Sequence, residues 1–354
     1  HAPAPAAEGM DADSMATSGD GDGVSASDGA QHARALAARP PVSMHVQLLF
    51  LMLSVVLERS LTDFSFLRAF YTDEVALAYS PAAKADILAC FLRHTAGERP
   101  RLSADEIVVA LQLLVLPMLR AAASAGVAGA ILSPPIVWAI VTQLLDPAAR
   151  HSEATKVELL KLSTLLIEAV PARLVDHRKD IIKFAWNLLK SDESVSKQCA
   201  YVNVCHFIDR FETPSKIILQ VYVALLRTFQ PDSRLLVRQA LDTLTPALPR
   251  RLPAGDHRYP TWIKWTKKIV VEEGHSLPQL VHVWQLVIRH PALFYASRAQ
   301  FVPQMVNSLN RIGLAQNTSA DNRRLAVDLT ALILAWERQR QAAQGAAGTR
   351  AAAG

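Results

Sequence analysis

The sequence predicts an all-α fold, a HEAT-like α-solenoid of stacked antiparallel helix pairs with disordered N- and C-terminal tails. Three observations predict it: glycine is scarce in the body of the chain, prolines and capping residues recur at helix-sized intervals, and apolar residues repeat with helical period. Only six of the 14 glycines lie between residues 41 and 344, where ordinary usage of about 7% would place about twenty. Parallel α/β folds, sandwiches and barrels need more glycine for turns and phosphate-binding loops.

Composition divides the chain into three segments, at residues 1–39, 40–342 and 343–354. The first 33 residues hold six acidic residues and no Lys or Arg, and they carry few large apolar side chains. Such a segment buries too little apolar surface to offset the entropy lost on ordering. Residues 1–39 are therefore predicted to be a disordered acidic low-complexity segment. The Ala/Gly tail 343–354 is predicted to be disordered for the same reason, and residues 40–342 to be HEAT-like helical repeats.

Capping residues and prolines mark where the helices of the repeat region start. Pro81, Pro134 and Pro214 each follow a Ser or Thr; a hydroxyl of this kind caps a helix, and proline fits its first turn. The segment Ser103-Ala-Asp-Glu106 has the spacing of a capping box. The last helix carries one apolar stripe at helical spacing, made of Leu325, Leu329, Leu332, Ile333 and Trp336.

The spacing of the prolines and capping residues predicts about thirteen helices joined by short loops, which is more than a four-helix bundle holds. Serial stacking accommodates them as about seven HEAT-like pairs of about 40 residues each. Residues 121–145 carry no charge, but Pro134 and Pro135 interrupt them and many are small. Buried helices are therefore predicted there rather than a membrane span.

The charge and cysteine counts set weak limits on partners and compartment. Outside the first 33 residues there are 37 basic and 26 acidic residues, a surplus of 11, with no run of five or six basic residues. A positive surface follows, but a dedicated nucleic-acid groove is not required. Three cysteines are too few for a disulfide framework and suit a reducing compartment.

The short motifs that resemble catalytic or metal sites do not have the spacing that the chemistry needs. The segment from His177 to Asp180 resembles a kinase catalytic loop, but its spacing is wrong and no glycine-rich loop accompanies it. Cys199, Cys205 and His206 do not share the i, i+3 or i+4 spacing of helical metal ligands. Gly274, after two glutamates, predicts a left-handed helix cap rather than an acid–base pair. No catalytic, cofactor-binding or metal-binding residue and no small-molecule substrate are predicted.

A basic cluster between residues 250 and 268 is the strongest candidate for a binding surface. Tyr259, Trp262 and Trp265 alternate with its members, and basic residues interleaved with aromatic ones bind nucleic acid or an acidic partner. The alternative is packing, because Trp262 and Trp265 share a helix face with Ile269 and the lysines would then face water. The predicted partner-binding residues of this basic cluster are Arg250, Arg251, Arg258, Lys264, Lys267 and Lys268.

The sequence of the C-terminal half is specific enough to indicate a family. Four stretches carry the signal: Lys216–Arg227 (KIILQVYVALLR), Leu236–Pro249 (LVRQALDTLTPALP), Trp262–His282 (WIKWTKKIVVEEGHSLPQLVH) and Asn322–Arg340 (NRRLAVDLTALILAWERQR). They closely resemble the helical-repeat region of the transformation/transcription domain-associated (TRRAP) proteins, which are pseudokinase relatives of the phosphatidylinositol-3-kinase-like kinases. The resemblance is strong over about residues 150–340 and thinner from 41 to 150.

The resemblance implies an internal slice of a much larger HEAT-repeat scaffold, lying before its FAT and kinase-like domains. It further implies a non-catalytic segment of a nuclear transcription coactivator shared by SAGA and NuA-type histone acetyltransferase complexes. The implied partners are transcription activators with acidic segments and other complex subunits, with no cofactor and no membrane. Direct nucleic-acid binding through the basic cluster is the alternative, and a lipid-kinase-like enzyme would need loops that these residues lack.

Overall fold

The structure, a computed structural model, describes residues 26–38, 42–58, 63–95, 101–229, 231–252 and 259–351. Every regular element among these residues is a helix, which confirms the predicted all-α class. The described residues form two compact units, one ending at Pro214 and the other beginning at Ser215.

The first unit contains α1 to α11 in its described part. Helical turns of other types extend several of them: π-helical turns at Phe70–Ala78, Leu111–Val115 and Ile140–Leu144, and a 3₁₀ segment at Pro171–His177. The α-helices are α1 Ala26–Ala37, α2 Met44–Glu58, α3 Ser65–Ala69, α4 Pro81–Thr95, α5 Ala104–Ala110, α6 Leu116–Ser124, α7 Ala128–Ile131, α8 Pro134–Ala139, α9 Glu153–Ala169, α10 Arg178–Leu188 and α11 Ser194–Arg210.

One continuous helix of this unit runs from Ala104 to Ser124 through α5, a π-helical turn and α6. Pro117 lies at the start of α6, and the wider turn before it accommodates a residue that has no N–H to donate. Among the described residues this is the one helix whose length and composition would suffice to cross a membrane. Its residues Leu111, Leu114 and Val115 are fully buried against neighbouring helices of the unit.

The local signals read from the sequence are largely confirmed here. Ser103 and Glu106 form the capping box: the Ser103 Oγ accepts from the Glu106 N–H at 3.2 Å, and the Glu106 Oε2 accepts from the Ser103 N–H at 2.8 Å. The Ser80 Oγ accepts from the N–H of Ala83 at 3.3 Å. Ser133 precedes α8 without a side-chain capping bond. Residues 121–145 form short buried helices as predicted, and Gly126 breaks them with a φ of 71°, a region that favours glycine.

The second unit contains α12 to α18 in its described part, with a 3₁₀ turn at Pro231–Ser233 and a π-helical turn at Asn310–Leu314. Helices close in sequence pack on each other: α12 on α13 and α14, and α13 and α14 on α15. That serial pattern is the one in which stacked helix pairs bury their apolar faces. The bounds are α12 Ser215–Arg227, α13 Arg234–Arg251, α14 Thr261–Glu272, α15 Leu277–Arg289, α16 Pro291–Tyr295, α17 Arg298–Leu309 and α18 Ala320–Ala351.

The structure differs from the prediction of disordered tails at both ends. Residues 26–37, within the segment 1–39, form α1, which packs on α8. Leu36 is buried there and the ring of His32 lies 6.3 Å from that of Trp138, contacts that the average composition of the segment conceals. The backbone of α18 continues as helix to Ala351, because Ala, Arg and Gln favour helix even without a partner. Residues 1–25, 39 and 352–354 lie outside the described residues.

Candidate partner-binding surface

The predicted basic cluster is distributed over the end of α13 and the length of α14. Arg250 and Arg251 form the last turn of α13, whereas Lys264, Lys267 and Lys268 lie on α14. Arg258 lies outside the described residues.

The buried face of α14 holds the first tryptophan of the cluster. Trp262 is only 3% exposed, and its ring packs edge-on against those of Tyr222 at 6.4 Å and Phe294 at 5.3 Å between centroids. Ile269 on the same face is fully buried. The packing interpretation is therefore confirmed for Trp262, whose ring is not accessible for stacking on a base.

The opposite face of α14 presents the lysines to solvent. The Lys268 Nζ lies 5.0 Å from the centroid of the half-buried Trp265 ring and 3.8 Å from Oε2 of Glu272. The Lys267 Nζ donates to Oε1 of Gln300 at 2.7 Å. Lys264 is exposed and has no ion-pair partner among the described residues.

A shallow depression of about 410 Å³ lies along this face. Its walls carry three ammonium groups, and the exposed Val271 gives it apolar contact surface. This combination of positive charge and accessible apolar carbon suits a peptide that carries both acidic and apolar side chains. Arg250 and Arg251 do not line it. The lining residues are Tyr259, Ile263, Lys264, Lys267, Lys268, Val271, Glu272 and Gln300.

The residues of the turn after α14 make contacts that join helices. Glu273 Oε1 pairs with the Arg227 Nη2 at 2.7 Å, and Arg311 donates to the carbonyls of Gly274 at 2.7 Å and His275 at 2.8 Å. The prediction of a left-handed cap at Gly274 was wrong, because Gly126 is the only described glycine with a positive φ. Glycine is required at 274 for space: a Cβ there would lie 2.1 Å from the carbonyl oxygen of Val270.

The cysteine and histidine residues of α11 also have structural surroundings. Cys199 and Cys205 are buried free thiols, and burial raises the pKa of the Cys205 thiol. The Nδ1 of His206 lies 3.1 Å from Oε1 of Glu168. Among the residues that the structure describes, no group of three His, Cys, Asp or Glu side chains is placed to hold a metal ion.

A second charged cluster in the C-terminal unit was not found from the sequence. Asp242 of α13 accepts from the Arg289 Nε at 2.7 Å and lies 3.0 Å from Nε2 of His290, both through Oδ1. Its Oδ2 lies 3.4 Å from the Arg238 Nε. The i, i+4 spacing of Arg238 and Asp242 is the one local signal that the sequence offers.

Comparison with known proteins identifies the family of this chain. Residues 39–353 match the family model described as the Tra1 HEAT repeat ring region. The chain belongs to the Tra1 HEAT repeat ring family. The predicted resemblance to the TRRAP proteins is thereby confirmed, and the match covers the repeat region predicted at residues 40–342.

Relatives within the Tra1 HEAT repeat ring family carry names that describe transcription. The transcription-associated protein 1 of Dictyostelium discoideum is 43% identical over 305 residues, which cover 84% of this chain and 7% of that protein. The human transformation/transcription domain-associated protein is 33% identical over 316 residues, 83% of this chain and 8% of that protein. The SAGA complex/NuA4 acetyltransferase complex subunit TRA1 of Saccharomyces cerevisiae is 41% identical over 187 residues, 53% of this chain and 5% of that protein. The chain thus spans less than a tenth of the length of these relatives.

Proposed function

We propose that this chain is a non-catalytic helical scaffold segment of a nuclear transcription coactivator subunit that assembles into SAGA/NuA4-type histone acetyltransferase complexes. The observation that carries the proposal is the match of residues 39–353 to the Tra1 HEAT repeat ring. The yeast relative is named as a subunit of both complexes. Serially packed helices provide long surfaces for several partners at once.

Affinity purification of the intact protein that contains this chain tests the scaffold role. We expect histone acetyltransferase activity on nucleosomes to co-purify with it from nuclear extract, while the purified 354-residue chain alone neither acetylates histones nor hydrolyses ATP. Crosslinking mass spectrometry of the same preparation identifies the subunits that lie on residues 215–344. A preparation without acetyltransferase activity would contradict the proposal.

Within this function, the depression on α14 is proposed to bind acidic segments of transcription activators. Lys264, Lys267 and Lys268 supply the positive charge, and Val271 is 54% exposed beside them. A disordered acidic segment with scattered apolar residues can fold onto such a surface. The burial of Trp262 disfavours the alternative, in which the same cluster stacks on the bases of a nucleic acid.

Charge reversal on α14 tests this surface. The triple variant Lys264→Glu, Lys267→Glu, Lys268→Glu should weaken binding of a fluorescent acidic, Leu- and Phe-containing peptide at least tenfold in fluorescence anisotropy. The matched control, called the α10 variant, reverses three exposed lysines, Lys179 and Lys183 on α10 and Lys190 just after it, and changes the net charge equally. Equal loss in both variants would show that net charge rather than this surface attracts the peptide.

A second titration separates the nucleic-acid alternative. In this titration the unmodified chain and both variants are mixed with random duplex DNA at increasing salt. Nucleic acid would be favoured over an acidic peptide if the unmodified chain binds DNA with a steep negative dependence on salt, and if the α14 variant loses this binding while the α10 variant keeps it. Circular dichroism of both variants reports whether the helical fold is retained.

A further inference from the structure

A groove of about 380 Å³ between α13, α15 and α18 gathers four arginine side chains. Arg234 and Arg238 come from α13, Arg289 from α15 and Arg324 from α18. Its volume lies in the range of small-ligand sites. It is distinct from the depression on α14, which shares none of its lining residues.

The α13 and α15 walls of this arginine groove hold more positive than negative charge. Asp242 is the carboxylate that compensates both Arg289 and Arg238, at 2.7 and 3.4 Å. Burial is the main cause that lowers the pKa of the Arg289 guanidinium, and the positive charges of Arg238 and Arg234 lower it further. The guanidinium of Arg289 is therefore repelled by those of Arg238 and Arg234, and a bound anion would relieve that repulsion.

Two of the four arginines carry a positive charge that no ion pair among the described residues neutralises. Arg234 and Arg324 are both exposed, and neither has an ion-pair partner among the described residues. Asp321 and Asp328 line the α18 side but make no ion pair with the arginines of the groove. The lining holds four arginines and two aspartates, so its net charge is +2, or +1 when the adjacent Asp242 is included. This positive charge attracts a phosphomonoester, which carries nearly two negative charges near neutral pH.

The histidine in the groove adds no charge of its own. Burial lowers the pKa of His282 to about 4, with smaller contributions from Arg289 and Arg234, so the ring is neutral at physiological pH. Its Nε2 lies 3.1 Å from the carbonyl oxygen of Leu225. Arg289 is held by Asp242 with only 19% of its side chain exposed, which fixes one guanidinium before any ligand arrives.

We propose that the arginine groove binds a phosphomonoester group, with Arg234 and Arg324 as its principal ligands and Arg289 as a pre-positioned third donor. A carboxylate is satisfied by one guanidinium fork, whereas a tetrahedral phosphate accepts from several forks in different directions. Arginines that approach from three helices match the second geometry. The phosphate belongs either to a phosphorylated side chain of a partner or to a free small phosphate.

Isothermal titration calorimetry of the 354-residue chain with three probes tests the proposal. The probes are N-acetyl-phosphoserine amide, inorganic phosphate and N-acetyl-glutamate amide. We expect phosphoserine to bind at least tenfold more tightly than glutamate. Equal affinity for phosphoserine and inorganic phosphate would assign a free phosphate, and tighter binding of phosphoserine would assign a phosphorylated side chain. No binding of either phosphate probe, or equally tight binding of glutamate, would overturn the proposal.

Matched variants locate the binding. Arg234→Gln and Arg324→Gln should each weaken phosphoserine binding about tenfold, and Arg324→Lys should weaken it less because it keeps the charge but loses the fork. Arg323→Gln is the control, since Arg323 is the exposed neighbour of Arg324 on α18 and does not line the groove. Equal loss in Arg323→Gln, or unchanged binding in both groove variants, would overturn the assignment. Unchanged circular dichroism shows that the variants keep their fold.

Discussion

Asp242 shows at the scale of one residue how a carboxylate joins two helices. It lies on α13 and accepts from Arg289, in the last turn of α15, and it also contacts His290 and Arg238. Burial raises the pKa of Asp242, but the hydrogen bonds and positive charges of Arg289 and His290 outweigh burial and hold it below its usual range. The folded state therefore favours the ionised carboxylate.

Removing this charge should destabilise the chain in a pH-dependent way. Asp242→Asn leaves the half-buried Arg289 without its counter-charge, and we expect a loss of about 1–2 kcal/mol in the free energy of unfolding at pH 7. The pKa of Asp242 is lower in the folded state than in the unfolded state, where it is about 3.9. Its contribution to the free energy of unfolding is therefore complete at pH values above the unfolded pKa and is lost as the pH falls through the folded pKa. Urea unfolding at pH 7 and at pH 3 measures both. Asp321→Asn, an exposed change without an ion pair, should alter stability by less than about 0.5 kcal/mol, and an equal loss there would contradict the role of Asp242.

At the scale of the helix, the features that depend on neighbours in sequence were readable in advance. The capping box of Ser103 and Glu106 is complete within four residues, and the stripe of α18 buries Leu325, Leu329 and Trp336 as its spacing predicts. Both follow from helix geometry alone. The helix α1 was missed because its few anchoring contacts are diluted in an acidic, small-residue segment, so average composition gives the wrong result there.

Features that depend on packing between helices were not readable. The arginine groove brings together Arg234 of α13 and Arg324 of α18. These residues are far apart in sequence, and only the packing of the helices brings them close. Gly274 was correctly expected at a helix end, but its reason is the crowding by the Val270 carbonyl and not a left-handed φ. Of the predicted basic cluster, Lys264, Lys267 and Lys268 share one depression, an arrangement that their positions on a single helix already favoured.

At the scale of the whole molecule, each unit has its own core. Trp262, Tyr222 and Phe294 form an aromatic cluster within the unit that begins at Ser215. In the unit that ends at Pro214, α9 packs on α11, and the Asn203 Nδ2 there donates to the Ser163 Oγ at 3.0 Å. When helices pack serially in this way, the free energy of unfolding is approximately a sum of contributions from neighbouring helices, and one part of the chain can open while another stays folded.

Local cores predict a local response to core truncation. Trp262→Ala removes a large ring that is 3% exposed and should destabilise its surroundings by about 3–5 kcal/mol. Hydrogen exchange followed by mass spectrometry should then show faster exchange chiefly in α12, α14 and α16, whereas α9 and α11 keep their protection. The reciprocal variant Phe207→Ala removes a ring that is 1% exposed and lies 4.9 Å from that of Phe211, and it should loosen α10 and α11 while α12 and α14 stay protected. Equal loss of protection across both units in either variant would show that the chain unfolds as one body, and the additive description of its stability would then be wrong.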